Sequence, residues 1–159
     1  MKEILFKLNE FCCNNRIEYV VTGTMALDIL GVPSHGIPQD IDIKVFHLTD
    51  EQAEKLSELE FLSGLNKNEY KDKKCFAFLI DGVKINAIKD DADYDAINAT
   101  CISVNFIDEK RAKHHLISVQ RMRYALHDKV KLNREKDVRY MFDFISILTS
   151  IFGGPCLKK

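Results

Sequence analysis

The segment from residue 17 to residue 46 constrains the fold more than any other part of the sequence. An apolar run at 17–22 predicts a short buried strand, and Gly23-Thr24 follows it directly. Residues 25–30 predict a short helix, and residues 31–39 carry two glycines and two prolines, which predict a loop. Residues 40–46 alternate polar and apolar side chains, as a strand with one buried face does. This order of elements predicts an α/β fold.

Two carboxylates and a glycine-hydroxyl turn in this segment carry the chemistry. Asp40 and Asp42 lie two residues apart on the second strand, so both project from one face. Paired carboxylates can hold Mg²⁺ against substrate phosphates. Gly23 allows close approach of a ligand to the backbone, and the Thr24 hydroxyl could bind a phosphate at a helix start. Thr24 could equally act only as the N-cap of that helix.

These residues resemble the nucleotidyltransferase superfamily, which includes DNA polymerase beta. The run Gly23–Leu27 resembles the superfamily's G-[GS]-x-x-L opening, and Gln39–Ile43 resembles its D-x-D strand. Within the superfamily, the sequence is most similar to the minimal and abortive-infection-type bacterial transferases. Those often carry a lysine and then an R-x-K-D-like element, and Lys129 and Arg134–Asp137 stand in matching order. The resemblance covers roughly residues 17–148.

The sequence departs from this family at its third carboxylate. The family places that acid on a later strand, and the matching position within Val83–Ile88 is Asn86. An amide brings no charge and cannot act as a base, which should weaken the metal beside the nucleophile. One of the acids between Asp90 and Asp95 could substitute for it. Lys84 alternates onto the same face as Asn86, where it could contact a phosphate or simply be solvated.

The remaining elements complete an expected α/β (α+β) architecture, a small mixed β-sheet flanked by helices. We expect one domain over residues 1–159, with a core over about 17–107 and C-terminal helices over about 118–150. Local patterns predict an amphipathic helix near the start, a capping box, a two-residue hairpin turn, a further strand and two late helices. These lie at 4–12, Thr49–Gln52, Asp81-Gly82, Thr100–Ile107, Gln120–Leu132 and Arg134–Ser150. Asp90–Asp95 is expected to be a loop, and His114-His115 to lie on the surface.

Composition and charge exclude several protein classes. No apolar run reaches the roughly 18–20 residues of a membrane span, and the first residues do not form a secretory signal, so we expect a cytoplasmic protein. The five cysteines lack C-x-x-C spacing, which argues against a zinc site or a disulfide framework. Eleven basic and 20 acidic residues precede residue 110, and 12 basic and 4 acidic residues follow from there. The basic part could attract a polyanion, or the acidic part could neutralise it.

The resemblance implies a transferase that uses Mg²⁺ or Mn²⁺. It would move a nucleoside monophosphate from a nucleoside triphosphate, expected to be ATP, to a protein or RNA hydroxyl. Asp40 and Asp42 would hold the metal, and the nucleotide would contact Gly23, Thr24, Lys84 and Lys129. The alternative, suggested by Asn86, is a catalytically degenerate member that binds nucleotide or regulates a toxin–antitoxin partner. A further alternative is a module that binds nucleic acid or a partner protein through the basic C-terminal part.

Overall fold

A mixed sheet of seven strands forms the centre of the molecule. The structure is a computed structural model that describes residues 1–32, 38–61, 74–132, 137, 138 and 146. Five helices and seven strands lie in the described ranges: α1 Lys2–Asn14, β1 Glu18–Thr22, α2 Gly23–Ile29, β2 Asp40–Phe46, α3 Asp50–Ser57, β3 Glu60–Phe61, β4 Cys75–Ile80, β5 Val83–Asp90, α4 Tyr94–Thr100, β6 Cys101–Asp108, β7 Lys113–Gln120 and α5 Met122–Leu132.

The strand order is β3-β4-β5-β2-β1-β7-β6, which places β2 and β1 in the middle of the sheet. The pairs β2–β5 and β1–β7 are parallel, and the other four neighbouring pairs are antiparallel. The pair β1–β7 has a single register contact, Val21 with Val119. The expected mixed sheet flanked by helices is confirmed.

The hydrophobic core lies against one face of the sheet. Alternate side chains of β1, β2, β5 and β7 point to this face, where α1 and α3 cover them with residues such as Leu5, Leu8 and Leu56. The side chains between them, including Thr22, Asp42 and Asn86, point to the opposite face, which we call the site face. Among the described residues, no helix is both long and apolar enough to cross a membrane.

Two local signals in the sequence produce the structures that they predict. Thr49 caps α3 through a reciprocal capping box, in which the Gln52 backbone N–H donates to the Thr49 hydroxyl over 3.2 Å. Asp81 and Gly82 turn β4 into β5 with φ angles of 49° and 75°, as the primed hairpin turns require. Asp81 forms an ion pair with Lys7 of α1 and so points away from the site face.

The second half of the chain contains two elements that the sequence analysis did not predict. The expected loop at Asp90–Asp95 is wrong in its second half, because α4 begins at Tyr94 with the Asp93 carboxylate accepting from the Ala96 N–H. Strand β7 extends the sheet to Gln120, past the expected end of the core. His115 on β7 is 1% exposed and stacks on Phe6 at 4.2 Å, so the expectation that it lies on the surface is wrong.

The late helices are described in part. Helix α5 confirms the first of them, beginning two residues later than expected. Asp137, Val138 and Ser146 are helical, and the rest of the second expected helix lies outside the described residues. His35, Arg134 and Lys136 also lie outside them.

Candidate metal and nucleotide site

The register of three neighbouring strands brings the predicted carboxylates and Asn86 together. In the antiparallel pair β1–β2, Thr22 lies opposite Asp42. In the parallel pair β2–β5, Asp42 lies beside Asn86 and Asp40 beside Lys84. Because side chains alternate along a strand, these residues all belong to the site face. Asp40, Asp42 and Asn86 are half-buried there, and Lys84 is exposed.

The Asn86 amide joins the two carboxylates. Its Nδ2 donates to Asp40 Oδ2 over 3.0 Å and to Asp42 Oδ1 over 2.8 Å. Both N–H groups of the amide are therefore used, and their partial positive charge offsets part of the repulsion between two neighbouring anions. Asn86 thus occupies the position that the sequence analysis assigned to it, but it acts as a hydrogen-bond donor where an acid would be an acceptor.

Gly23 contacts Asp42 so closely that a larger residue would displace the carboxylate. Its φ is 64°, in the left-handed region that glycine adopts without steric cost. A Cβ built on Gly23 would lie 2.5 Å from Asp42 Oδ2, far inside normal contact. The turn between β1 and α2 is therefore packed against the carboxylate, which fixes the position of Asp42.

Helix α5 places a buried lysine beside the same turn. Lys129 is 4% exposed, and its Nζ donates over 3.1 Å both to Thr24 Oγ1 and to Asp137 Oδ1. Thr24 is the second residue of α2, and the N-cap is Thr22, so the reading of Thr24 as the N-cap is wrong. Of the C-terminal residues that the resemblance marked, Lys129 and Asp137 are thus shown to be in contact with each other, and Lys129 with the turn.

The donor set suits one phosphate-bound Mg²⁺. Mg²⁺ in proteins is often held by one or two carboxylates together with substrate phosphates and water, and Asp40 and Asp42 provide such a pair. Within the described ranges, no third His, Cys, Asp or Glu joins them in a metal-binding group. Asp90 pairs with Lys44 at 3.2 Å and lies in register with Phe46, four residues from the Asp42 position. The expectation that an acid at 90–95 could replace the missing carboxylate is therefore wrong.

Gln120 is a buried polar side chain on the site face that the sequence analysis missed. Gln120 ends β7 just beyond the contact of Val21 with Val119, which places it beside Thr22. It is 4% exposed, and its Nε2 donates to Asp128 Oδ2 over 2.9 Å, while its Oε1 accepts no hydrogen bond within the described part of the chain. The sequence could have indicated Gln120 as a site-face residue only if β7 had been predicted as a strand.

The chain is similar to known proteins in structure and matches none by sequence search. Neither a protein-family model nor a curated protein sequence matches the chain. A crystal structure described as a nucleotidyltransferase candidate from Thermotoga maritima matches with a TM-score of 0.54 at 20% identity, over 91% of this chain and 92% of that one. An antigenic nucleotidyltransferase-like protein from Paracoccidioides brasiliensis matches with a TM-score of 0.50 at 13% identity, over 92% of this chain and 75% of that one. This chain therefore has the nucleotidyltransferase fold.

Proposed function

We propose that this protein binds a nucleoside triphosphate with Mg²⁺ at Asp40 and Asp42 and transfers the nucleoside monophosphate to a hydroxyl group. The observation that supports this most directly is the convergence of two half-buried carboxylates, the Gly23 turn and the buried Lys129 at one end of the site face. Carboxylates for a cation and a lysine for phosphates are the two kinds of group that a magnesium–triphosphate complex requires. ATP is the proposed nucleotide, and the proposed acceptor is a protein or RNA hydroxyl.

The proposed residues have separate roles in this reaction. Bound Mg²⁺ (or Mn²⁺) would neutralise phosphate charge and orient the triphosphate. Asp40 and Asp42 hold the cation, and Lys129 and Thr24 bind the β- and γ-phosphates. Lys84, exposed beside Asp40, contacts the phosphates from the solvent side. The acceptor oxygen forms a bond to the α-phosphorus, the bond from that phosphorus to the bridging oxygen breaks, and pyrophosphate leaves with the electron pair. The hydroxyl proton passes to solvent, because Asn86 cannot accept it.

The second candidate function is nucleotide binding without transfer. The specific observation that favours it is the orientation of Asn86, whose Nδ2 donates to both carboxylates. A two-cation site requires an anionic ligand there, and an N–H donor repels a cation. In this case the protein would keep Mg²⁺–ATP bound at Asp40 and Asp42 and act as a regulatory protein, with a toxin or antitoxin as its proposed partner.

One experiment separates these functions. The natural protein, Asp42→Asn and the control Asp91→Asn, an exposed acid outside the site, are incubated with Mg²⁺ or Mn²⁺ and α-labelled nucleoside triphosphates. Cell lysate and total RNA serve as acceptors, and binding of Mg²⁺–ATP is measured in parallel. We expect the natural protein and Asp91→Asn to transfer label and Asp42→Asn to transfer none.

The other outcomes decide between the candidates. Binding that depends on Asp42, with no transfer by any variant, would establish the second candidate. Transfer that survives in Asp42→Asn would show that the reacting centre lies elsewhere.

A further inference from the structure

A cavity of about 370 Å³ lies between α4 and the strands β1, β6 and β7. Val20, Leu116 and Ser118 line it from the site face, and Asn9 and Cys13 of α1 line its inner end. It lies beside the part of β1 and β7 that precedes their one register contact, Val21 with Val119. Its volume falls in the range of sites that bind small molecules or anchoring side chains. The lining includes apolar, aromatic and hydroxyl side chains, among them Val20, Phe46, Tyr94, Ile97, Leu116 and Ser118.

The cavity begins two residues along β1 from the position opposite Asp42. Val20 lines the cavity, and Thr22, two residues further along β1, lies opposite Asp42. Two residues of a strand span about 7 Å, so an extended segment that fills the cavity needs only about two residues to reach the Asp42 position. Ser118 and Gln120 on β7 repeat this arrangement on the other side of the opening.

The in-line geometry of the proposed transfer indicates that this cavity lies on the acceptor side of the site. In-line displacement places the attacking oxygen and the leaving pyrophosphate on opposite sides of the α-phosphorus. Lys129 and Thr24, which would bind the departing phosphates, lie beyond the end of β1 where α2 begins. The cavity lies on the other side of Thr22 along the same strand, where an acceptor hydroxyl must enter.

The lining indicates which kind of acceptor fits. Among the described residues, Glu18 is the one charged side chain in the lining, and it accepts a hydrogen bond from the Tyr94 hydroxyl over 2.7 Å. None of the lysines and arginines that the structure describes lines the cavity, and Lys44, in register with Val20, forms an ion pair with Asp90 at 3.2 Å. Leu116 and Tyr94 are 64% and 58% exposed, which leaves apolar surface for a partner.

We propose that this cavity binds a protein acceptor, through an apolar side chain next to the Ser, Thr or Tyr whose hydroxyl is modified. This inference rests on the proposed transfer reaction, and it selects protein over RNA as the acceptor class. Leu116 and Tyr94 hold the apolar side chain, and Ser118 and Glu18 hydrogen-bond to the peptide backbone.

The test uses acetylated random peptides with a fixed central Ser, Thr or Tyr, and a single-stranded oligoribonucleotide as the competing acceptor. The full chain, Leu116→Glu and the control Ile107→Glu are compared by mass spectrometry of modified products and by Mg²⁺–ATP binding. Ile107 is 52% exposed on the neighbouring strand and lies outside the cavity, so both variants add one charge to a similar surface. We expect peptide labelling with apolar residues enriched beside the hydroxyl. Leu116→Glu should raise the peptide KM about tenfold, because it puts a carboxylate in the apolar opening. Ile107→Glu should not, and both should bind Mg²⁺–ATP as the natural protein does.

Three results would overturn the proposal. Equal peptide KM values for the two variants would show that the cavity does not bind the acceptor. Weaker Mg²⁺–ATP binding in Leu116→Glu alone would assign the cavity to the nucleoside. Labelling of the oligoribonucleotide and of no peptide would refute the acceptor class while leaving the transfer reaction intact. If the natural protein neither labelled an acceptor nor bound Mg²⁺–ATP, the proposed function itself would be wrong.

Discussion

Replacing Gly23 with alanine tests whether the turn fixes the position of the Asp42 carboxylate. The new Cβ would lie 2.5 Å from Asp42 Oδ2 and 3.3 Å from the Asp42 Cβ and Cγ atoms. Neither the backbone of β1 nor that of β2 can move easily, because both strands are central in the sheet. The carboxylate must therefore rotate away from Gly23, which also changes its hydrogen bond with Asn86.

The size of the effect follows from two separate costs. An alanine at a φ of 64° costs about 1–2 kcal/mol of the free energy of unfolding. Displacing the Asp42 side chain from its rotamer costs about 1 kcal/mol more. Gly82→Ala is the matched control, because Gly82 has a φ of 75° and, apart from its chain neighbours, no described residue has an atom within 4 Å of its added Cβ. We expect Gly82→Ala to lose only the first amount.

Urea denaturation measures the stability of both variants, and calorimetric titration measures their affinity for Mg²⁺–ATP. Gly23→Ala should be about 1 kcal/mol less stable than Gly82→Ala and should bind Mg²⁺–ATP at least about tenfold more weakly, since a displaced carboxylate no longer faces the cation. Gly82→Ala should bind as the natural protein does. If the two variants had equal stability and equal affinity, the contact of Gly23 with Asp42 would have no role in the site.

Three further predictions concern the charges and thiols. Asn86→Asp puts a third anion beside two others, so without metal the free energy of unfolding should fall by about 2–4 kcal/mol, and Mn²⁺ should restore it. Thermal melts of the variant with chelator and with Mn²⁺ measure this. An equal loss of stability under the two conditions would contradict it. Lys129→Met should lower the free energy of unfolding by about 3–5 kcal/mol, because it leaves Asp137 buried without that cation. Adding Asp137→Asn should recover the stability in thermal melts but not the affinity for Mg²⁺–ATP in calorimetric titration. A double variant as unstable as the single one would count against this reasoning. Burial raises the pKa of the Cys12 thiol, so iodoacetamide should modify exposed Cys13 and spare Cys12 in the folded protein, as peptide mapping would show. Equal modification of the two would refute it.

The first part of the site could be predicted from the sequence because its signals are local. A glycine-hydroxyl turn, a short helix and two alternating carboxylates need no information beyond their own neighbourhood. The register of β2 with β5 then brings Asn86 beside Asp42, at the position that the resemblance to the family implied for it. The direction of the Asn86 amide could not be read from the sequence, because it depends on where both carboxylates lie.

Strand β7 escaped prediction because its first half reverses the usual pattern of burial. His115 is 1% exposed and the adjacent Leu116 is 64% exposed, which is the opposite of what their polarity suggests, and only Ile117 and Val119 follow the expected alternation. Helix α4 escaped because none of its seven residues is fully buried, which leaves no apolar stripe to recognise. The contact of Lys129 with Thr24 joins residues 105 positions apart, and no periodicity can reveal such a contact.

The single register contact between β1 and β7 has a consequence for how the chain folds. It joins two parts of the sheet: five strands from the first part of the chain and the hairpin of β6 and β7. Each part can form through neighbouring segments, whereas this contact must close a loop that includes most of the sheet's sequence. We expect the two parts to dock late in folding. We also expect the backbone amides that hydrogen-bond between β1 and β7 to exchange hydrogen with solvent sooner than those that hydrogen-bond between β2 and β5, although all four strands lie in one sheet.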